Sequence, residues 1–581
     1  MNKIIQRRIG VAAGREKADL VLKGGRIINV FTEEIIDGDV AIVDGRIAGI
    51  GGPYEGNEEI HLEGRYIAPG LIDGHVHIES SLATPEQFAR AIVPRGTTTI
   101  IADPHEIANV SGMDGIEYIL NASEAVPMDV FVMLPSCVPA TDFENSGAVL
   151  EAADLAKLIN HPRVLGLGEL MDYPSVIGAA ERVVDKIELA HNNGKIIDGH
   201  GPIIDEEALN AYVSAGVSTE HECESVEEML NRLRLGMYIL IREGSAARNL
   251  STLVHGVSKE NLRRCLFCTD DRHPGDILTD GHIDNNVRLA MECGLPALSA
   301  IRMATLNAAE CYRLYDRGAI APGYIADLII LENLRTFKVE KVFKEGRLVA
   351  DDGIPLFEIE SLVDDRVRDT VNIGELDASK LVLNMESDIA RVMKIAPKTL
   401  VTEHVTRKVG LKDGAFQYVK ELDILKLVVI ERHKATGNVG LGLVEGFELK
   451  NGAIASTVAH DSHNLIIIGD TDDNIMTAAK EIERIGGGLV VVKSGKVIGS
   501  LPLPIAGIMS DQTLGEMDSK HEELMELAYG VGVNKNIDPF MLLAFLALPV
   551  IPELKLTDVG LFDVVNFKFI DLCIHEHPHE E

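Results

Sequence analysis

Short runs of β-branched and apolar residues, each ended by a glycine-containing turn, fill residues 18–30 and 39–52. Runs of this length between glycine turns are typical of β-hairpins. The same pattern returns far along the chain, at residues 326–349. We therefore predict one composite β-sandwich domain, built from residues 1–67 and 316–365, with a larger domain inserted between its two parts.

Residues 68–315 alternate between short β-rich segments and longer stretches with the apolar spacing of amphipathic helices. The segments with the composition of strands are residues 72–77, 97–102, 128–135, 163–170, 194–200, 216–221, 236–241 and 264–270. Eight strands, each followed by a helical stretch, within roughly 250 residues match the size and rhythm of a (β/α)8 barrel. The fold class predicted for this region is α/β, a (β/α)8 barrel.

The last region, residues 366–581, mixes both kinds of pattern. Residues 425–433, 465–470 and 488–500 are strand-like, whereas residues 472–485 have helical spacing and end at a run of glycines. We predict an additional C-terminal α+β domain. Its final segment, HEHPHEE, is rich in histidine and glutamate and is expected to be solvated.

Composition and charge restrict the partners and the location. The 581 residues are 46% hydrophobic and 25% charged, as is typical of globular proteins. The formal net charge is −35, from 55 Lys and Arg against 90 Asp and Glu, and such a field repels nucleic acid and anionic lipid. The seven cysteines do not indicate a secreted disulfide framework, and no signal peptide is visible. We expect a cytoplasmic protein with a small-molecule substrate and no nucleic-acid or membrane partner; a homo-oligomer is left open.

The sequence PGLIDGHVH (residues 69–77) carries the clearest chemical signal, because it ends the first predicted barrel strand with His75 and His77. Residues at i and i+2 of a strand point to the same face, and the carboxyl end of a barrel strand faces the active-site mouth. Two imidazoles converging there can bind one metal ion. His-x-His alone also occurs without a metal, but the surrounding residues favour a metal site.

Four later predicted strands also end in a potential ligand, and these residues are Glu169, His200, His221 and Asp270. Taken singly, each has an ordinary explanation, such as a surface carboxylate or a hydrogen-bonded core histidine. Together with the two histidines of the first strand, they predict a metal centre at the mouth of the barrel. Asp271 adjoins Asp270 and is an alternative ligand.

Weaker candidates surround this set. His105 and Glu106 follow the second strand and could shape the pocket, carry protons or simply begin a helix. Arg242 ends the seventh strand and could face the substrate, although a solvated charge is equally compatible with the pattern. With Asp271, these residues are the candidates for substrate binding. The polar residues 459–464, AHDSHN, could cover the active site, bind another metal or form a turn.

Several segments resemble one known family, and they are TTTIIADPHEIANVSG (97–112), LPSCVPAT (134–141), GELMDYPSVI (168–177), CTDDRHPGDIL (268–278), ELKNGAIASTVAHDSHNLIIIG (448–469) and GGGLVVVKSGKVIGSLPLPIAG (486–507). The chain resembles, over essentially its whole length, the adenine deaminase family of the amidohydrolase superfamily. The resemblance implies a metal-dependent hydrolase acting on the C–N bond of a cyclic amidine. Its substrate would be adenine, deaminated to hypoxanthine and ammonia in purine salvage.

The resemblance also implies roles for the strand-end residues. One cation would be held by one histidine pair and a second cation by the other, the pairs being His75 with His77 and His200 with His221. Glu169 would bridge the cations where many amidohydrolases use a carboxylated lysine, and Asp270 would contact a metal and move protons. Two cations lower the pKa of a shared water, so hydroxide exists near neutral pH. The resemblance favours Mn²⁺, and the same ligands suit Fe²⁺ or Zn²⁺.

The sequence also contains motifs that another class of deaminase uses. A different class of deaminases binds zinc through H-x-E and P-C-x-x-C, and this chain contains His77-Ile78-Glu79 and a C-x-x-C at Cys265 and Cys268. Arg264 stands where that class has proline, and the two motifs belong to the first and eighth strands, so we reject this interpretation. Another amidohydrolase activity on a cyclic amide or N-acyl substrate, and a non-catalytic scaffold, remain as alternatives.

Overall fold

The computed structural model describes residues 2–397 and 399–574, so the histidine-rich tail at 575–581 lies outside the described residues. Contacts divide the chain into two compact units. The first contains the chain up to Pro104, Ile119–Ser136 and Glu151–Leu362, and the second contains His105–Tyr118, Cys137–Leu150 and the chain from Val363 onward. The three-domain boundaries from the sequence stay a prediction.

The first unit begins with helix α1 (Asn2–Ala12) and five strands: β1 (Ala18–Asn29), β2 (Glu34–Val43), β3 (Arg46–Ile50), β4 (Gly56–His61) and β5 (Tyr66–Pro69). Strands β1 and β2 form an antiparallel hairpin in which Leu20 lies opposite Ile42 and Leu22 opposite Val40. Because side chains alternate along a strand, these four apolar residues face one side and enter the same core.

The barrel strands follow: β6 (Leu71–Val76), β7 (Thr97–Ala102), β8 (Asp129–Leu134), β9 (Val164–Leu170), β10 (Ile196–Gly199), β11 (Thr219–Glu220), β12 (Tyr238–Arg242) and β13 (Cys265–Cys268). They pair in parallel, in the order β6 to β10 and β11 to β13. The gaps are closed by hydrogen bonds from Ser218 N to Ile197 O (3.0 Å) and from Asp270 N to His75 O (2.9 Å). The predicted eight-stranded barrel is confirmed.

Helices alternate with these strands and are α2 (Pro85–Ile92), α3 (His105–Ala122), α4 (Ala152–Leu155), α5 (Tyr173–Ile177), α6 (Glu181–Asn192), α7 (Glu206–Ser214), α8 (Val226–Arg234), α9 (Leu250–Leu253), α10 (Pro274–Thr279), α11 (Ile283–Glu292), α12 (Ala297–Met303) and α13 (Leu306–Cys311). Their starts follow the usual chemistry of helix caps. Asp205 accepts a hydrogen bond from the third residue of α7, and Ser225 with Glu228 forms a capping box on α8. These caps fix where the chain leaves each strand-end loop.

Four strands follow the barrel: β14 (Leu328–Leu331), β15 (Val339–Lys344), β16 (Arg347–Asp351) and β17 (Ile354–Pro355). Strand β5 pairs with β1 on one side and with β14 on the other. The strands before and after the barrel therefore share one nine-stranded sheet. This pairing makes the barrel an insertion into a composite β-structure.

Among its described residues, the second unit contains thirteen strands and three helices outside α3. They are β18 (Ile389–Lys394), β19 (Glu403–Lys408), β20 (Leu411–Lys412), β21 (Ala415–Phe416), β22 (Ile424–Ile430), β23 (Val439–Glu445), β24 (Gly452–Ser456), β25 (Leu465–Gly469), β26 (Gly488–Lys493), β27 (Lys496–Pro502), β28 (Leu554–Leu556), β29 (Leu561–Asp563), β30 (Lys568–Phe569), α14 (Asp472–Ile485), α15 (Leu514–Gly530) and α16 (Pro539–Phe545). Eight strands, from β18 to β27 without β20 and β21, form one sheet. Helix α14 packs Ile475, Ala478 and Ile482 on it and ends at Gly486, whose φ is +75°. Among the described residues, no helix is long and apolar enough to cross a membrane.

Candidate active site

His75 and His77 lie where β6 ends, and both imidazoles are buried. Their Nε2 atoms are 3.2 Å apart. Nδ1 of His77 lies 2.9 Å from the carbonyl oxygen of Asp103 and donates a hydrogen bond to it. In the neutral ring, Nε2 then carries the lone pair that a metal would need. A histidine whose second nitrogen donates to a carbonyl is oriented as metal-binding histidines are. The prediction that both rings share one face of the strand is confirmed.

Glu169, in β9, lies between two histidine pairs. Its Oε1 is 3.3 Å from Nε2 of His77. Its Oε2 is 2.6 Å from Nδ1 of His200 and 3.1 Å from Nε2 of His221. Each carboxylate oxygen therefore faces a different pair, which is the arrangement that a bridging ligand requires.

His200 and His221 follow β10 and β11, respectively. Nδ1 of His200 is 3.2 Å from Nε2 of His221, so these two nitrogens can share a ligand as the first pair can. The ring of His221 also stacks on that of His75, with centroids 4.3 Å apart. The two pairs are thus parts of one compact cluster.

Asp270 follows β13 and contacts the first pair. Its Oδ1 is 3.0 Å from Nε2 of His77 and 3.6 Å from Nε2 of His75. The residue has a φ of +58°, in the left-handed region that few residues other than glycine adopt. Two backbone hydrogen bonds hold it there, from Asp270 N to His75 O in β6 and from His77 N, just after β6, to Asp270 O.

Arg242, at the end of β12, connects Asp270 with a carboxylate that the sequence did not single out. Its Nη1 is 2.6 Å from Oδ2 of Asp270, and its Nη2 is 3.1 Å from Oε2 of Glu222. Oε1 of Glu222 also lies 3.5 Å from Nε2 of His221. The available signal was its position directly after a strand-end histidine, in the acidic segment His221-Glu222-Cys223-Glu224.

Charge balance explains the ionisation of this cluster. Although burial favours the neutral acid, Arg242 and the neighbouring histidines outweigh it and hold the pKa of Asp270 well below its usual range. Burial likewise opposes ionisation of Glu169, but the surrounding histidines hold its pKa well below its usual range. Burial lowers the pKa of His200, and Glu222 and Glu169 overcome this and raise it to about 9. Anionic oxygens thus converge with imidazole nitrogens.

This donor set fits transition-metal ions. Several groups of side chains bring one ligand atom each within 4.8 Å of one another, and they include His75–His77–Asp270, His75–Glu169–His221 and His200–His221–Glu222. Mixed imidazole and carboxylate ligands suit Mn²⁺, Fe²⁺ and Zn²⁺. The structure therefore contains residues able to bind metal at the predicted end of the barrel.

Asp271 does not join the cluster in the same way. Its Oδ1 accepts a hydrogen bond from the hydroxyl of Ser80, and Asp270 is the neighbour that contacts His75 and His77. A contact between Asp271 and substrate stays a prediction.

His105 and Glu106 belong to the second unit, where Glu106 meets two histidines of the turn at residues 459–464. Nδ1 of His460 is 2.5 Å from Oε1 of Glu106, and Nε2 of His463 contacts Oε2. Burial opposes ionisation of Glu106, but His460, His463 and His105 outweigh it and hold its pKa well below its usual range.

This second cluster has the wrong proton arrangement for a metal. The backbone N–H of Ala459 donates to Nδ1 of His463 at 3.1 Å, so that nitrogen carries no proton. The proton of a neutral ring then sits on Nε2 and is donated to Glu106, whereas a metal would need a lone pair there. Residues 459–464 thus form a turn whose two histidines are hydrogen-bonded to Glu106 of α3. A contact between His105 or Glu106 and substrate stays a prediction.

Two family models match most of the chain. The amidohydrolase family model matches residues 66–349, and the adenine deaminase C-terminal domain model matches residues 399–568. Among solved structures, a β-aspartyl dipeptidase from Fervidobacterium islandicum AW-1 is 17% identical, with a TM-score of 0.45 over 58% of this chain and 99% of that chain.

Sequence relatives extend the match over nearly the whole chain. "Adenine deaminase 2" of Carboxydothermus hydrogenoformans is 52% identical over 98% of this chain and 100% of the relative. "Adenine deaminase" of Clostridium acetobutylicum is 52% identical over 97% and 100%, and that of Halalkalibacterium halodurans is 49% identical over 99% of each. With both the catalytic barrel and the C-terminal domain matched at this identity, the chain belongs to the adenine deaminase family of the amidohydrolases.

Proposed function

We propose that this protein hydrolyses adenine to hypoxanthine and ammonia, a reaction of purine salvage. The observation that carries the proposal is the position of Glu169, whose two carboxylate oxygens face two separate histidine pairs. Relatives named adenine deaminase, about half identical over nearly the full length, support the choice of adenine.

The proposed cofactor is a pair of divalent cations, with manganese as the metal favoured by the family. His75, His77 and Asp270 would hold one, His200 and His221 would hold the other, and Glu169 would contact both. When bound, such a pair supplies a water of lowered pKa as the nucleophile. A glutamate can serve as the bridge without prior modification, because it is ionised at neutral pH.

Asp270 is the group placed to move the proton. One of its oxygens faces His75 and His77, and the other is held by Arg242. The Arg242 contact keeps this carboxylate anionic and therefore able to accept the proton that the attacking water loses. Returning the proton to the amino nitrogen lets the C6–N bond break with release of ammonia.

Arg242 and Glu222 are proposed to contact the base. Nε of Arg242 is buried and has no hydrogen-bond partner among the described residues, so it offers a donor to a purine ring nitrogen. Glu222 offers an acceptor beside it, suited to an N–H of the base. His105, Glu106 and Asp271 are kept as further substrate-binding candidates.

An ammonia-release assay tests the proposal. The purified protein, loaded with Mn²⁺, should release ammonia from adenine and convert it to hypoxanthine, with adenosine a poorer substrate. His75→Ala should abolish release while the protein stays folded. Hydrolysis of dihydroorotate or an N-acetyl sugar, with adenine inert, would instead support a different amidohydrolase activity.

The remaining expectations concern the cellular location, the oligomeric state and the bound metal. A free nucleobase substrate fits a cytoplasmic protein without nucleic-acid or membrane partners, and fractionation of cells would test the location. Light scattering would decide whether the chain forms a homo-oligomer. Elemental analysis of protein purified without added metal would identify the bound ion.

A further inference from the structure

One buried ion pair supports the backbone on which His200 and His221 are carried. Glu220, the last residue of β11, is 0% exposed, and Arg232 of α8 is 2% exposed. Nε of Arg232 lies 3.3 Å from Oε2 of Glu220. A strand residue that points into the protein is usually apolar. A buried carboxylate here therefore needs a partner, and its presence indicates a specific role.

The carboxylate of Glu220 holds the peptide groups that directly follow both histidines. Its Oε1 accepts a hydrogen bond from the backbone N–H of Glu222 at 2.8 Å. Its Oε2 accepts one from the backbone N–H of Gly201 at 3.1 Å. Gly201 follows His200 and Glu222 follows His221, so one side chain ties the two loops together.

Arg232 completes the support from the other side of the same peptide. Its Nη2 donates to the carbonyl oxygen of Gly201. Both polar backbone groups of Gly201 are therefore held by the ion pair, one by each partner. A Cβ at Gly201 would lie 3.0 Å from Oε2 of Glu220 and 2.4 Å from the side chain of Ile204. Glycine at this position lets the carboxylate approach the loop.

The first histidine pair has a separate support. Oδ1 of Asp73 accepts hydrogen bonds from the backbone N–H groups of His75 (3.2 Å) and Thr269 (3.1 Å). These two peptides belong to β6 and to the residue before Asp270. Among the described residues, neither Asp73 nor Thr269 forms a hydrogen bond with Glu220 or Arg232. Each histidine pair is therefore supported by its own carboxylate.

We propose that Glu220 and Arg232 are positioning residues for the His200–His221 half of the proposed metal centre. Losing them should selectively weaken the binding of one of the two cations. The inference rests on the proposed function only for the presence of two cations. Buried ion pairs add little net stability over well-packed apolar residues. In contrast, mutation of groups that orient metal ligands typically lowers metal affinity by about 10- to 100-fold. Orientation of the two loops is therefore the role that fits this pair.

The test variant is the double substitution Glu220→Leu/Arg232→Met, which removes both charges and leaves neither one buried alone. The matched control is Asp327→Leu/Lys344→Met, because that buried pair (2.7 Å) lies in the β-structure of the same unit. Mn²⁺ binding per chain is measured by elemental analysis after equilibrium dialysis over a range of free Mn²⁺, with circular dichroism as a check of folding.

We expect two cations in the parent protein and in the control. The test variant should keep one with parental affinity and bind the other about 10- to 100-fold more weakly. Adding His200→Ala to it should cause little further loss, whereas adding His75→Ala should remove the remaining cation. If the double variant does not fold, Glu220→Gln serves instead; it keeps one acceptor oxygen, and a smaller, equally selective loss is expected.

Three outcomes overturn the inference. The first is parental affinity for both cations in the variant, and the second is equal weakening of the binding of both. The third is a parent protein that binds fewer than two cations, which would overturn the proposed metal pair as well. Deamination is not part of the measurement, so a failure to act on adenine would affect the proposed function and leave this result standing.

Discussion

Replacing Lys555 by methionine is expected to remove a pH-dependent cost of folding in the second unit. Lys555 lies in β28 and is 0% exposed. Its Nζ donates to the carbonyl oxygen of Leu400 at 3.1 Å. Burial disfavours the ammonium form and lowers the pKa of Lys555 from 10.5 to about 7.

The size of the effect follows from this shift. Between pH 7 and 10.5 the unfolded chain binds more protons at this residue than the folded chain, so the stability of the parent protein rises with pH in that window. At about 1.36 kcal/mol per pKa unit, the cost is about 4 kcal/mol at pH 7 and about 1 kcal/mol at pH 9.5. Methionine fills a similar volume and does not titrate, so the Lys555→Met variant lacks this pH-dependent loss of stability.

Urea unfolding of the parent protein and Lys555→Met at pH 7 and pH 9.5 measures the effect. The advantage of the variant should shrink by about 3 kcal/mol between these pH values. Lys496→Met, at an exposed lysine of β27, controls for the lost charge and should show no such dependence. An advantage for Lys555→Met that is the same at both pH values would mean that the lysine stays protonated in the folded protein, and the reasoning would be wrong.

Two further predictions concern the active site. Glu169→Gln keeps the shape of the bridge but loses its charge, so activity should fall by several orders of magnitude and extra metal should restore it only partly. Because no carboxylated lysine is involved, apo-protein should regain activity with metal alone in buffer free of carbon dioxide. A need for bicarbonate would contradict the assignment of the bridge. Asp270→Asn should lower kcat by about 10²- to 10⁴-fold while both cations are largely retained through the histidines, as metal analysis would show; a variant with parental kcat would remove Asp270 from the role of proton carrier.

The sequence could predict the barrel and the side chains that gather where its strands end, because both depend on local pattern. Alternation of apolar residues places His75 and His77 on one face of β6. Parallel strands of a closed barrel bring their carboxyl ends to the same mouth, so residues as distant in the chain as Glu169 and Asp270 were expected to meet. They do meet, at His77. The glycines after α14 likewise predicted where that helix ends.

Side-chain partners across the chain could not be predicted in this way. Glu220 and Glu222 are both acidic neighbours of His221, and no periodicity tells which is buried against Arg232 and which faces Arg242. The answer depends on the direction of each side chain at the end of β11 and just after it, and on the residues that α8 and β12 place beside them. Local pattern determined which residues stand at the mouth of the barrel, whereas only the tertiary structure decided which charges neutralise one another, because a buried charge takes its partner from whatever the fold packs beside it.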